Sequence, residues 1–113
     1  MKIVNLKEIA KEKGSHGDYS AQILIRSGEF ANLNSFGKVV IKPGQCAEMH
    51  SHYGNYEIFF VLQGRLKIKF GDNTEQVCEK GACIVTEANE THEITNPYDE
   101  SLEMLYLSIK PSE

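Results

Sequence analysis

Three of the four histidines in the 113-residue chain, together with one glutamate, are spaced as metal ligands would be. His50 and His52 flank Ser51, and in a strand side chains alternate faces, so both imidazoles point the same way from Cα atoms roughly 7 Å apart. Tyr53-Gly54-Asn55 has turn chemistry, and Glu57 then opens the apolar run Ile58–Leu62. A hairpin here returns the Glu57 carboxylate beside the two histidines. His92, heading His-Glu-Ile-Thr-Asn, can supply a third imidazole. A single His or Glu is ordinarily a surface or satisfied core residue, but this combination has the composition of a divalent-metal centre.

Three neutral imidazoles and one carboxylate leave a divalent ion with a net charge of about +1, and a six-coordinate ion keeps two adjacent positions open. Such a centre attracts anionic oxygen ligands. The donor set suits Mn, Fe, Zn, Ni or Cu, and affinity order does not choose among them. Glu48 shares strand parity with His50 and His52 and is the candidate catalytic carboxylate, placed to accept a proton from bound substrate or water. Cys46 has the same parity. Tyr53 and Tyr56 flank the ligand turn, and Asn96 stands where it can orient the His92 strand or contact a ligand.

The elements that must position these residues are short strands. Ala21–Arg26, Phe36–Ile41, Cys46–His52, Glu57–Gln63, Arg65–Phe70, Gln76–Cys78, Ala82–Val85, Thr91–Asn96 and Leu102–Ile109 are separated by Gly, Asn and Pro turns, which predicts an all-β sandwich or barrel. Ahead of them, Lys2–Val4 reads as a short strand and Asn5 as the N-cap of one short helix that stops at Gly14. Ser15-His16-Gly17-Asp18 is a loop, and His16 reads as a solvated loop residue. Arg65–Phe70 alternates strictly, so one of its faces is wet. Ile58–Leu62 and Met104–Leu107 are apolar at both parities, which calls for cover on both faces by the N-terminal segment or by a second subunit.

The stretch Gly44, His50, His52, Glu57, Gly64 resembles the first motif of the cupins, and Gly81, His92, Asn96 resembles the second. The resemblance implies a double-stranded β-helix, the jelly-roll cupin barrel, over 35–110, with 1–34 packing on it. It also implies His50, His52, Glu57 and His92 as metal ligands. Small cupins are commonly homodimers, so the doubly apolar strands are expected at a dimer interface. Two positions depart from the motif: Glu87 replaces a usual proline and Asn89 a usual glycine. Both lie in the turn before His92, where Asn tolerates positive φ. Cupins acting on oxalate often carry an arginine just before the first ligand histidine, and Gln45-Cys46-Ala47-Glu48-Met49 has none.

Composition bounds the remaining classes. At 41% hydrophobic and 25% charged the chain has the make-up of one soluble domain, and a net charge of −4 with interspersed signs gives no basic face for nucleic acid. Ile58–Leu62 is too short to span a bilayer and the N-terminus is too polar for a signal peptide, so a cytoplasmic location is expected. Cys46, Cys78 and Cys83 share no CxxC spacing and read as small buried hydrophobes. The leading expectation is a small metalloenzyme, an oxygenase, decarboxylase or isomerase, acting on a carboxylate or oxygen-rich small molecule. The competing one is a non-catalytic, metal-dependent binding or sensor module for a small anion.

Overall fold

The computed structural model describes residues 1–50 and 54–110, the side chain of His50 excepted. Among the described residues, short runs punctuated by turn residues become ten strands: β1 (Glu12–Lys13), β2 (Ser20–Ile25), β3 (Leu33–Ile41), β4 (Cys46–His50), β5 (Tyr56–Gln63), β6 (Arg65–Phe70), β7 (Glu75–Glu79), β8 (Cys83–Thr86), β9 (His92–Thr95) and β10 (Leu102–Ile109). They form a six-stranded sheet in the order β1-β2-β3-β10-β5-β8 and a four-stranded sheet in the order β4-β9-β6-β7, and every named pair is antiparallel. This is the all-β sandwich that the strand spacing predicts, in the jelly-roll arrangement that the resemblance implies, two sheets facing each other across one core.

Alternation decides which side chains reach that core. In β6, Leu66 and Ile68 are buried while Lys67 turns outward and reaches Glu75 on β7. In β5, Glu57, Phe59 and Val61 point inward and Ile58, Phe60 and Leu62 outward. Ile41, Val61, Leu66, Leu102 and Met104 have no measurable exposure. Each such burial contributes about 1.5–3 kcal/mol. The turns obey local chemistry: Gly64 joins β5 to β6 at φ +78°, and a Cβ there would stand 2.5 Å from the Ser101 carbonyl oxygen, so both conformation and space require glycine. Asn89 adopts φ 69°, the left-handed geometry expected of an Asn in the usual glycine position.

The N-terminal segment differs from expectation. The predicted helix from Asn5 to Gly14 is reduced to one 3-10 turn, Leu6–Glu8, and β1 lies inside its predicted span. The Gln22 side-chain amide donates to the carbonyls of Leu6 and Ile9 at 3.0 and 2.8 Å, giving them a partner outside any helix. Lys2–Val4 is not a strand. The turn packs over the outer face of β2, three strands away from Phe60, so this segment does not cover β5. Phe60 is 42% exposed and Val85 58%. Cys83 is also exposed and Cys46 and Cys78 are half-buried, so none of the three is the buried hydrophobe expected.

Candidate metal centre

Antiparallel register stacks the inward side chains of the large sheet in rows. Thr86, Glu57, Ser108 and Ser35 are aligned across β8, β5, β10 and β3 as a polar row at one end of the barrel. One row deeper stand Phe59, Tyr106, Gly37 and Ile23, and below them Val61, Met104, Val39 and Ala21. Gly37 has no side chain because one would overlap the Gln22 carbonyl oxygen and stand 2.9 Å from the Tyr106 ring. On the facing sheet, His92 is level with the polar row and Ile94 with the apolar one, where Ile94 pairs with Ala47.

Glu57 and His92 meet across the interior. The Glu57 Oε1 lies 3.3 Å from His92 Nε2, with Glu57 7% and His92 1% exposed. The other ring nitrogen, Nδ1, lies 3.0 Å from the Glu90 carbonyl oxygen. A carbonyl can only accept, so Nδ1 carries the proton and, in the neutral ring, Nε2 presents its lone pair toward Glu57. Phe59 fixes the ring from the side, its centroid 6.2 Å away at an interplanar angle of 69°. A buried imidazole whose Nδ1–H is held by a backbone carbonyl leaves Nε2 to a partner in the interior, the orientation that metal-ligating histidines commonly have.

The remaining expected ligands stand differently. The His50 backbone lies in register with His92, and its side chain, like all of His52 and Tyr53, falls outside the described residues. Among the described residues, no group of three or more His, Cys, Asp or Glu side chains is gathered for a metal. The pair Glu57 and His92 therefore fits two positions of the expected set.

A β-bulge corrects the parity of β4. Ala47 pairs with Ile94 and His50 with His92, so three steps on β4 answer two on β9. Simple alternation from His50 puts Cys46 and Glu48 inside. Instead Ala47 lines the cavity, and Glu48, the candidate catalytic carboxylate, is exposed with its backbone N–H donating to the His16 carbonyl at 2.7 Å. Cys46 is likewise displaced; burial, aided by the charges of Asp18, Glu93 and Glu48, raises its thiol pKa and keeps it protonated. Tyr56 is exposed. Asn96 is buried and structural: its amide donates to the carbonyls of Ile41 and Glu100 at 2.9 and 2.8 Å and its oxygen accepts the Tyr98 N–H at 3.1 Å.

Beside Glu57 opens a cavity of about 310 Å³. One wall is a strap, residues 14–19, that runs from β1 to β2 and docks on the free edge of β4. Gly17 bridges Ala47, the Gln45 amide donates to the Asp18 carbonyl at 2.9 Å, and the Cys46 N–H donates to Asp18 Oδ1 at 3.2 Å. A Cβ on Gly17 would overlap the Cys46 carbonyl, so only glycine permits this approach. The strap brings Ser15, His16 and Tyr19 to the cavity. Tyr19 is buried, and burial raises its phenol pKa despite hydrogen bonds with Ser15 and the His16 backbone, with the nearby charge of Glu57 acting in the same direction. His16 was expected in solvent. Its signal was the glycine pair, Gly14 and Gly17, that lets the strap lie flat against the barrel.

A two-sheet jelly roll with an imidazole and a carboxylate converging inside one end defines the class as a double-stranded β-helix barrel with a candidate metal centre. The family model for the cupin domain matches residues 37–109, and the chain belongs to the cupin family. It is 29% identical over 105 residues to an oxalate-binding protein of Thermotoga maritima, covering 91% of this chain and 85% of that one. Among solved structures it is similar to a predicted oxalate decarboxylase from Thermotoga maritima, with a TM-score of 0.83 at 23% identity over 97% of this chain and 100% of that one. The polyketide cyclase RemF from Streptomyces resistomycificus matches with a TM-score of 0.84 at 16% identity, over 98% and 80% of the two chains. At these identities the structural likenesses speak for the fold.

Proposed function

We propose that the chain is a metal-dependent binding protein for a small carboxylate, its divalent ion held by His50, His52, Glu57 and His92. The observation that carries this reading is the orientation of His92, with Nδ1–H tied to Glu90 and Nε2 turned to Glu57 at 3.3 Å. The oxalate-binding relative supports the anionic ligand. A bound Mn, Fe, Zn, Ni or Cu ion would supply Lewis acidity and open positions for carboxylate oxygens. The chain's own residues would hold that end: Glu57 and His92 as ligands, with the hydroxyl residues Ser108 and Ser35 beside Glu57 in the same row.

Turnover is the second reading, favoured by Tyr19, a protonated phenol in the cavity wall. Elemental analysis of protein purified without chelator or affinity metal, followed by thermal shifts with oxalate and acetate on metal-loaded and metal-free protein, tests the binding reading. Metal-dependent stabilisation by a carboxylate is expected. Stabilisation equal with and without metal would refute it, and consumption of the ligand would decide for an enzyme.

A second copy of the chain is the proposed cover for the outer face of β5, β8 and β10, where Ile58, Phe60, Val85, Leu105 and Leu107 adjoin. Sedimentation of the protein at micromolar concentration reads this directly, with a dimer expected.

A further inference from the structure

We infer that the cavity takes an amphipathic monocarboxylate of about seven to ten non-hydrogen atoms, with its carboxylate at the Glu57 row and its apolar body inside the barrel. The inference rests on the carboxylate reading above and adds the shape and polarity of the ligand.

Three observations carry it. First, polarity changes with depth: Glu57, Ser108 and Ser35 form the outer row of the large sheet, whereas Phe59, Tyr106 and Ile23, then Met104, Val39 and Ala21, form the next two. Successive rows are two residues apart, roughly 7 Å, so apolar wall continues for about 14 Å beyond the carboxylate. The cavity is lined by residues of all three rows and, from the facing sheet, by Ile94 and Ala47. Second, a volume of about 310 Å³ holds about ten water-sized groups, more than a six-atom oxalate fills. Third, no lysine or arginine stands in the two deeper rows as they cross β5, β10, β3 and β2; on β1 the deepest row continues with the Glu12 carboxylate beside Ala21, and Lys13, the lysine of the lining, is exposed at that sheet edge. A second carboxylate pushed there would be stripped of water with no cation to meet it, and an alkyl or aryl body would not. The strap adds the buried Tyr19 ring to the wall beside these rows.

The test is a chain-length series by calorimetry: acetate, butyrate, hexanoate and octanoate, with oxalate as the compact dianion, on manganese-loaded protein. Each added methylene is expected to tighten binding by about fourfold until the cavity is full, and hexanoate is expected to bind more tightly than oxalate. Ala21→Leu fills the far end and is expected to move the plateau to a shorter acid. The matching n-alcohols on metal-free protein read the apolar rows alone and should show the same dependence on length. Affinity that is flat with chain length in both series, oxalate tighter than hexanoate, or a plateau unmoved by Ala21→Leu would overturn the inference. Alcohols that gain with length while no carboxylate binds at all would overturn the carboxylate reading instead.

Discussion

Gly14 lies so close to the ring of Tyr19 that a Cβ on it would overlap the ring carbons, and its N–H donates to the Tyr19 carbonyl at 2.8 Å. The two residues lock the strap at its start. Gly14→Ala must displace either the ring or the strap, and overpacking of this kind is expected to destabilise the protein by about 1–3 kcal/mol. Urea unfolding measures it. Stability equal to the parent would show that the ring moves aside freely.

Burial raises the Tyr19 pKa above the ordinary phenol value of 10.0. A raised acid holds its proton more tightly in the folded state than in the unfolded one, so its contribution is complete below pH 10 and is lost as pH rises through the folded pKa. Stability should therefore fall with pH above about 10, and Tyr19→Phe should flatten that fall. Thermal unfolding of both proteins from pH 8 to pH 11 checks the sign. A steeper decline in the variant would contradict it.

Asn96 makes three hydrogen bonds from a side chain that is 1% exposed, tying β3 and the turn before β10 to the end of β9. Asn96→Ala leaves the Ile41 and Glu100 carbonyls and the Tyr98 N–H without those partners. A loss of about 3 kcal/mol is expected. Denaturant midpoints report it, and metal content of the folded fraction should not change.

The proposed ligand set makes a separate prediction. His92→Ala and Glu57→Gln are each expected to lower metal affinity by at least about 100-fold, because direct ligands should exceed the 10- to 100-fold effect of their outer supports. Circular dichroism should still show a folded β protein, since the core of Ile41, Leu66, Leu102 and Met104 is untouched. Competition with a metal-binding dye measures the loss. Unchanged affinity in both variants would remove the pair from the site.

The barrel was legible wherever pattern and period agree. Arg65–Phe70 has the bounds and phase that alternation assigns, because one buried face fixes it, and Leu102–Ile109 has the bounds that its flanking turn and β-rich run assign. Alternation fails on β4, where the bulge between Ala47 and His50 shifts the phase and turns Glu48 outward. Nothing in Cys46-Ala47-Glu48-Met49-His50 announces that extra residue, since it is set by pairing with β9. The N-terminal helix failed for a related reason. Its capping residue is local, but the amide of Gln22 that meets the Leu6 and Ile9 carbonyls comes from a strand the local pattern does not see. A loop has no period, so the local pattern leaves His16 in solvent, and it is the bridge from Gly17 to Ala47 that brings it to the cavity.

The cupin match begins at residue 37, whereas Gly14, His16, Tyr19, Ala21, Ile23 and Ser35, all on the cavity wall, come before it. The family match thus accounts for only part of the chamber wall, the part that includes Glu57, Phe59, Met104 and Tyr106, and the leading segment supplies the rest. Two relatives can share every motif residue yet differ in what they hold, if their first three dozen residues differ. Grafting the leading segment of one such relative onto the barrel of another would move ligand preference without touching a single motif position.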